Sequence, residues 1–353
     1  MTSTALWRGV GTCLLAAASM GVLVPGTGVD FSLATAKPKT SAPGLVAVLV
    51  EPSKLGSATG MQPVYAFVLS AKKSVDMTMY ELSDPIMIND LVADRRRGVK
   101  VRVVLDTNRE RSRNLRTFQA LGAGGVKVVW ADTAYEATHQ KTITVDRAKS
   151  LVLSANLTSE YYTTTRDFGV VDTSAADVAA IEAVFNADFA HRTIVPSDGA
   201  DLVWSPGSQA QMLAVINGAR HTLSIENEEM ASSAITDAIV AAAERGVKLD
   251  ITMTADSYYD SDLDEIVRAG GHVHLYANES RDLYIHAKTT IADAGTSTRR
   301  AYVGSINFSS ASMDRNRELG VITSDAKVVS ELNAVVTGDY SNCRVSTGCR
   351  NYS

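Results

Sequence analysis

Two histidines each stand two residues ahead of a lysine and seven ahead of an aspartate: His139, Lys141 and Asp146, then His286, Lys288 and Asp293. Both sets read H-x-K-x4-D. A serine and an asparagine follow each time, Ser154 and Asn156 after the first set, Ser305 and Asn307 after the second. Eleven residues beyond each asparagine stands an acid, Asp167 and Glu318 respectively. These residue types suit one task, holding and cleaving a phosphodiester anion. Two lysines and two asparagines can surround its non-bridging oxygens and stabilise the charge that develops on them. One imidazole can attack phosphorus and carry a covalent phosphohistidine. The other can protonate the leaving oxygen and then take a proton from water. An acid behind each imidazole would fix its tautomer and orientation. Cationic side chains do the charge work, so neither a metal nor another cofactor is expected. Alternation along a strand turns His139 and Lys141 to one face, and likewise His286 and Lys288.

The elements that position these residues are a repeat. Ala71–Met77 aligns with Ala219–Ile225 at an offset of 148, without a gap through Glu81 and Glu229. Arg97-Gly98-Val99-Lys100 and Arg245-Gly246-Val247-Lys248 are identical at the same offset. Gly124-Gly125 matches Gly270-Gly271 at 146, and His139 matches His286 at 147. Each copy reads as a short helix ending near Lys73 or His221, then a strand (Val75–Tyr80; Leu223–Asn227), then a helix. In the second copy that helix carries Ile235, Ala238, Ile239, Ala242 and Ala243 at helical spacing. Gly98 and Gly246 close these helices. Strands Val99–Leu105 and Val247–Met253 follow, then helices near 114–121 and 263–269, then a strand leading to the histidine. Strands alternating with helices predict an α/β fold in two tandem half-domains, 37–197 and 198–353, divided at the polar stretch Ser197–Asp201. The histidine-to-asparagine spacing is 17 in one copy and 21 in the other, the excess falling in a polar hairpin loop at Ala294–Arg300.

With the doubled motif and its G-S-x-N continuation (Gly304-Ser305-Ile306-Asn307), the chain resembles the phospholipase D superfamily, the HKD phosphodiesterases, of secreted bacterial type. The resemblance spans nearly the whole chain after residue 36. It implies that the halves pack face to face about a pseudo-two-fold axis with one active site at their junction. It implies His139 as nucleophile and His286 as general acid and base, with Lys141, Lys288, Asn156 and Asn307 on the phosphate. Asp146 and Asp293 are expected to support the pocket, Ser154 and Ser305 to accompany the asparagines, and Asp167 and Glu318 to orient the imidazoles. One departure exists: Leu153 stands where the first motif would have glycine, which could crowd the phosphate pocket.

The chain has 353 residues, enough for two domains, with 45% apolar and 21% charged residues, which excludes a disordered or collagen-like chain. Residues 1–36 read as an export signal: Arg8, an apolar run at Val10–Val24 too short to span a bilayer, and Ala34-Thr35-Ala36 as a cleavage pattern. A secreted protein cut near Ala36 would keep two cysteines, Cys343 and Cys349, whose spacing suggests a small disulfide loop; a metal clip is the alternative. A net charge of −5 argues against a protein that coats nucleic acid. The expected substrate is a phospholipid at a membrane surface, the expected state a monomer. A nucleic-acid phosphodiester is the alternative, and a phosphate-binding module with weak turnover a third, supported by Leu153 alone. Arg95–Arg97 reads as helix-end charge, whereas Arg109, Arg111, Arg113 and Arg116 could attract phosphate or solvate a helix. Tyr161-Tyr162 and Tyr258-Tyr259 could meet a headgroup, stack on bases or pack loops. His272 and His274 read as a wet strand face, and Glu226–Glu229 is divided between strand faces by alternation.

Overall fold

Identical turn residues at matching places build the same strand–helix order twice. In the computed structural model of the protein, which describes residues 46–50, 61–279, 282–343 and 349–352, Gly98 (φ 97°) and Gly246 (φ 83°) end equivalent helices in the left-handed conformation that favours glycine. The expected export signal, residues 1–36, lies outside the described residues. The first half runs β1 (Val46–Val50), α1 (Gln62–Leu69), β2 (Ser74–Met79), α2 (Pro85–Arg96), β3 (Lys100–Leu105), α3 (Arg111–Ala123), β4 (Lys127–Trp130), β5 (Thr142–Val145), β6 (Lys149–Leu153), β7 (Thr165–Asp172) and α4 (Ala175–Phe189). The second half runs β8 (Leu202–Ser205), α5 (Gln209–Gly218), β9 (Thr222–Asn227), β10 (Met230–Ala231), α6 (Ser233–Glu244), β11 (Lys248–Thr254) and α7 (Asp260–Arg268). It continues through β12 (His272–Tyr276), β13 (Tyr284–Ile285), β14 (Lys288–Ala292), β15 (Arg300–Gly304), β16 (Phe308–Ser309), α8 (Ser310–Asp314), β17 (Glu318–Thr323), α9 (Ala326–Cys343) and β18 (Cys349–Tyr352).

The two large sheets have one topology. The first is ordered β1-β7-β6-β5-β2-β3-β4 and the second β8-β17-β15-β14-β9-β11-β12, with β18 added at the outer edge. In both, the three strands of the helix-rich side run parallel and the rest antiparallel. Cys343 and Cys349 are joined, their Cα atoms 5.1 Å apart, which clips β18 to the end of α9.

Three apolar layers follow from strand alternation. Val64, Met77, Leu91, Val103 and Leu121 lie between the first sheet and its helices, and Met212, Ile225, Ile239, Met253 and Ile266 between the second sheet and its own. The third layer draws Val152, Phe168 and Val170 from one half and Val303, Leu319 and Val321 from the other, so the sheets meet face to face. Two buried arginines tie the halves crosswise. Arg166 on β7 donates to Asp339 on α9 at 2.8 Å, and Arg317, just before β17, donates to Asp188 on α4 at 3.2 Å.

Leu153 belongs to the helix-side layer, with Leu151, two residues back on the same face. Gly169 lies opposite it, where an added methyl would press on the Leu153 side chain. At the equivalent place the second half has Tyr302 and Gly304, and the Tyr302 ring covers Gly320. Two leucines fill the volume that a tyrosine and a glycine fill in the other half. Leu153 therefore does not crowd the phosphate pocket; it points to the opposite side of its sheet. Leu153→Gly should leave a cavity costing about 3–5 kcal/mol of stability in a denaturant titration, with KM unchanged. Unchanged stability with a lowered KM would show the leucine facing the pocket.

Candidate active site

Neither histidine lies within a strand. Each sits in the connection just ahead of β5 or β14, beside a segment of the other half. Thr138 pairs with Arg317, so His139 comes next to Glu318. Ile285 of β13 pairs with Arg166 of β7, so His286 comes next to Asp167. The backbone holds both contacts, through Gln140 N–H to Arg317 O at 3.0 Å and His286 N–H to Arg166 O at 3.2 Å. The imidazoles are consequently oriented by the opposite half's acids: His139 Nδ1 lies 2.8 Å from Glu318 Oε2, and His286 Nδ1 lies 2.8 Å from Asp167 Oδ1. Each acid is itself held. Ser154 donates to Asp167 Oδ1 at 2.6 Å, while Ser312 and Asn316 donate to Glu318 Oε1. With Nδ1 tied to a carboxylate, Nε2 is the nitrogen left to work on a substrate.

Both lysines are fully buried, and each ammonium donates to the carbonyl of its own motif histidine, Lys141 to His139 at 2.7 Å and Lys288 to His286. The same-side expectation for His and Lys is met by this curl of the chain rather than by a strand. Asn156 Oδ1 and Asn307 Oδ1 are buried and accept no hydrogen bond. The other motif members do different work from that expected. Ser154 braces Asp167, and Ser305 accepts from Leu319 N at 3.2 Å; neither is free for phosphate. Asp146 and Asp293 do not reach the pocket. At about 3.3 Å per residue, a position seven residues past the histidine is the far end of the strand. There Asp146 accepts from the backbone N–H groups of Lys72, Lys73 and Ser74, and Asp293 from those of Arg220, His221 and Thr222. Both take a positive φ, 55° and 54°, to turn the chain.

Two residues in the pocket were not singled out by the motifs. Glu228 accepts from Lys288 Nζ at 2.8 Å and from Tyr284 O–H at 2.9 Å. Tyr80, its equivalent in the first half, sets its ring edge against His139, centroids 4.6 Å apart, with Lys141 Nζ 4.8 Å from the ring. The repeat offset of 148 pairs these two positions in the sequence. The division of Glu226–Glu229 expected from alternation is not kept, because the strand ends at Asn227: Glu226 is fully buried and acted on by Asp339 and Arg166, while Asn307 Nδ2 reaches both Glu228 and Glu229. Of the arginines of the segment 109–116, three are engaged: Arg109 shares Glu136 with Arg315, Arg113 pairs with Glu81, and Arg111 lies over Trp130. Tyr162 donates to buried Asp84, Tyr161 meets Arg113, and Tyr258 is exposed against Tyr259. His274 stacks on Tyr340 and His272 is exposed near Asp250, so the pair does not converge. Among the described residues no three His, Cys, Asp or Glu side chains gather as a metal site.

The charges act on one another across the junction. Burial and the two lysines lower His139, against the pull of Glu318, which keeps its imidazole neutral near pH 7. Burial acts to raise Glu318 and Asp167, but their histidines and the lysines hold both below the ordinary carboxylate range. Lys141 is pushed down to about 7, by burial first and then by Lys288.

The chain belongs to the family described as cardiolipin synthase, PLD-like domain, whose pattern matches residues 65–189 and again 212–339. Members of this superfamily are phosphodiesterases and phosphotransferases. The fold is similar to that of phosphatidylserine synthase from Haemophilus influenzae, with a TM-score of 0.64 and 10% identity over 89% of this chain and 88% of that one. It is also similar to polyphosphate kinase from Porphyromonas gingivalis, with a TM-score of 0.65 and 13% identity over 90% of this chain. This chain spans 52% of that kinase. No curated protein matches the sequence.

A lysine that loses its charge near neutrality should leave a pH signature. Below pH 7 Lys141 is protonated and attracts an anion; above it the free enzyme loses that charge. Dimethyl phosphate, which stays a monoanion across this range, should as a competitive ligand bind more weakly as pH rises from 6 to 8.5, and Lys141→Arg should flatten that slope. An unchanged slope in the arginine variant would remove Lys141 from the anion site.

Proposed function

We propose that the chain is an exported, monomeric phospholipase D-type phosphodiesterase that hydrolyses the distal phosphodiester of glycerophospholipids to phosphatidate and a headgroup alcohol. The observation that carries this reading is the pair of crossed histidine–acid contacts with two buried lysines between them. His139, held neutral by burial, attacks phosphorus through Nε2, and His286 gives a proton to the leaving alkoxide. The phosphohistidine then yields to water, deprotonated by His286. If an alcohol replaces water, headgroup exchange follows. Lys141, Lys288, Asn156 and Asn307 hold the non-bridging oxygens, and the chemistry routes no step through a metal. Export rests on the residue pattern of 1–36.

A secreted nuclease would use the same chemistry. Lipid is favoured because Arg109, Arg113 and Arg315 are paired with acids, which leaves them poorly suited to track a polyanion, and because the net charge is −5. The reading as a phosphate-binding module without turnover loses its support, since Leu153 packs away from the pocket.

The test is a paired assay in EDTA, following choline release from phosphatidylcholine vesicles and nicking of plasmid DNA. The expected outcome is choline release that His139→Ala abolishes and His286→Ala lowers by about 10²–10⁴-fold. DNA nicking without choline release would replace the lipid reading with the nuclease one, and neither activity in folded protein would overturn both.

A further inference from the structure

The pocket already holds an anion of its own. One oxygen of Glu228, Oε2, faces three of the groups assigned to the phosphoryl group: Lys288 Nζ at 2.8 Å, Asn307 Nδ2 at 3.4 Å and His286 Nε2 at 3.6 Å. Its other oxygen is held by the Tyr284 hydroxyl. The Lys288 side chain is fully buried, whereas the Glu228 side chain is 22% exposed. The first half has no such group, because Tyr80 occupies the equivalent position and offers a ring to His139 and Lys141. The asymmetry is one of charge, in a site otherwise built twice from the same parts.

We propose that Glu228 is a tethered anion standing in the phosphoryl position of the second half, which a substrate must displace from Lys288 and which selects monoanionic diesters over dianionic monoesters. The proposal rests on the reading of this pocket as a phosphoryl site. Glu228 Oε2 occupies the point that Lys288 Nζ, Asn307 Nδ2 and His286 Nε2 all face, so a phosphoryl oxygen that meets the three groups together takes the place of the carboxylate oxygen. The displaced carboxylate remains on the same short strand-end segment, beside Glu229 and near the ligand. Its repulsion grows with ligand charge, so a dianion meets about twice the penalty of a monoanion at equal distance. A diester enters at the lower cost, and a product monoester, once doubly ionised, is expelled. Glu228 thus acts as a specificity-determining residue and an aid to product release.

Glu228→Gln keeps the shape and removes the charge. Binding of inorganic phosphate and of dimethyl phosphate is measured by calorimetry at pH 8 on the wild type and this variant. Phosphate should bind the variant about tenfold tighter or more, the scale of one charge-assisted hydrogen bond no longer competed for, and dimethyl phosphate should gain less. Phosphate binding that is unchanged or weaker would make Glu228 a brace for Lys288 and overturn the proposal. Equal gains for both ligands would overturn the charge selection. Should the variant fail to fold, a crystal of the wild type soaked in tungstate decides: the proposal requires Glu228 moved off Lys288, and a bound anion with that contact intact refutes it. Neither measurement needs turnover. Absence of lipid and DNA cleavage would therefore sink the functional reading without touching this result, and the reverse also holds.

Discussion

Two short backbone pairings between the halves govern the chemistry of this protein. Thr138 pairs with Arg317, and Ile285 with Arg166, and the next residue along each strand of each pairing is a histidine or its acid. A residue-by-residue register thereby becomes a pair of 2.8 Å contacts, His139 to Glu318 and His286 to Asp167. The arginines in these pairings reach the other way, to Asp339 and Asp188 on the long helices. The acids and arginines of this exchange are all buried, and a buried charge without its partner is costly. Neither half can keep its histidine oriented or its acid compensated by itself. The repeat has diverged in sequence, yet its two copies remain bound to one site by this exchange.

Around that frame the pocket balances charge closely. Lys141 and Lys288 are both fully buried, and Lys141 is felt by Lys288, Glu318, Glu228 and Asp167. Desolvation acts to neutralise Lys141, Asp167, Glu228 and Glu318, and attraction to the histidines and lysines keeps the three carboxylates ionised. The site is therefore responsive to small changes in charge, including those a phosphoryl ligand brings. Tyr80 and Glu228 sit at equivalent positions of the repeat and give the two histidines different surroundings, an aromatic edge in one half and a carboxylate in the other. Symmetric scaffolding with asymmetric filling is what a reaction needs when one imidazole must attack and the other must carry a proton.

Much of this was legible in the residues. Helices and strands followed from apolar periodicity and from Gly98 and Gly246, since backbone conformation is set locally. The α/β class and the face-to-face halves followed from the repeat and the family resemblance, and the acids at Asp167 and Glu318 from equal spacing. What escaped was the crossing. A contact between residues 179 apart leaves no trace in a single chain's periodicity. Membership of a motif also misled about place: Asp146 and Asp293 share a pattern with the histidines but sit a strand's length away, satisfying backbone N–H groups. Ser154 turned out to brace an acid, because its side chain is buried behind Asp167 and cannot face a ligand. The crowding of the phosphate pocket considered for Leu153 does not occur, because its face of the sheet is the helix side, where Leu151 and Leu153 match Tyr302 and Gly304 in volume.

The central claim is a single site in which one half's histidine works only with the other half's acid. It is tested most directly by rapid quenching of turnover on a substrate labelled with 32P, followed by peptide mapping, on the wild type and on Glu318→Gln. The account predicts label on the peptide that carries His139, and a marked loss of it in the variant, although residue 318 lies in the other half. Label on both histidines, or undiminished labelling of His139 without the Glu318 carboxylate, would contradict it.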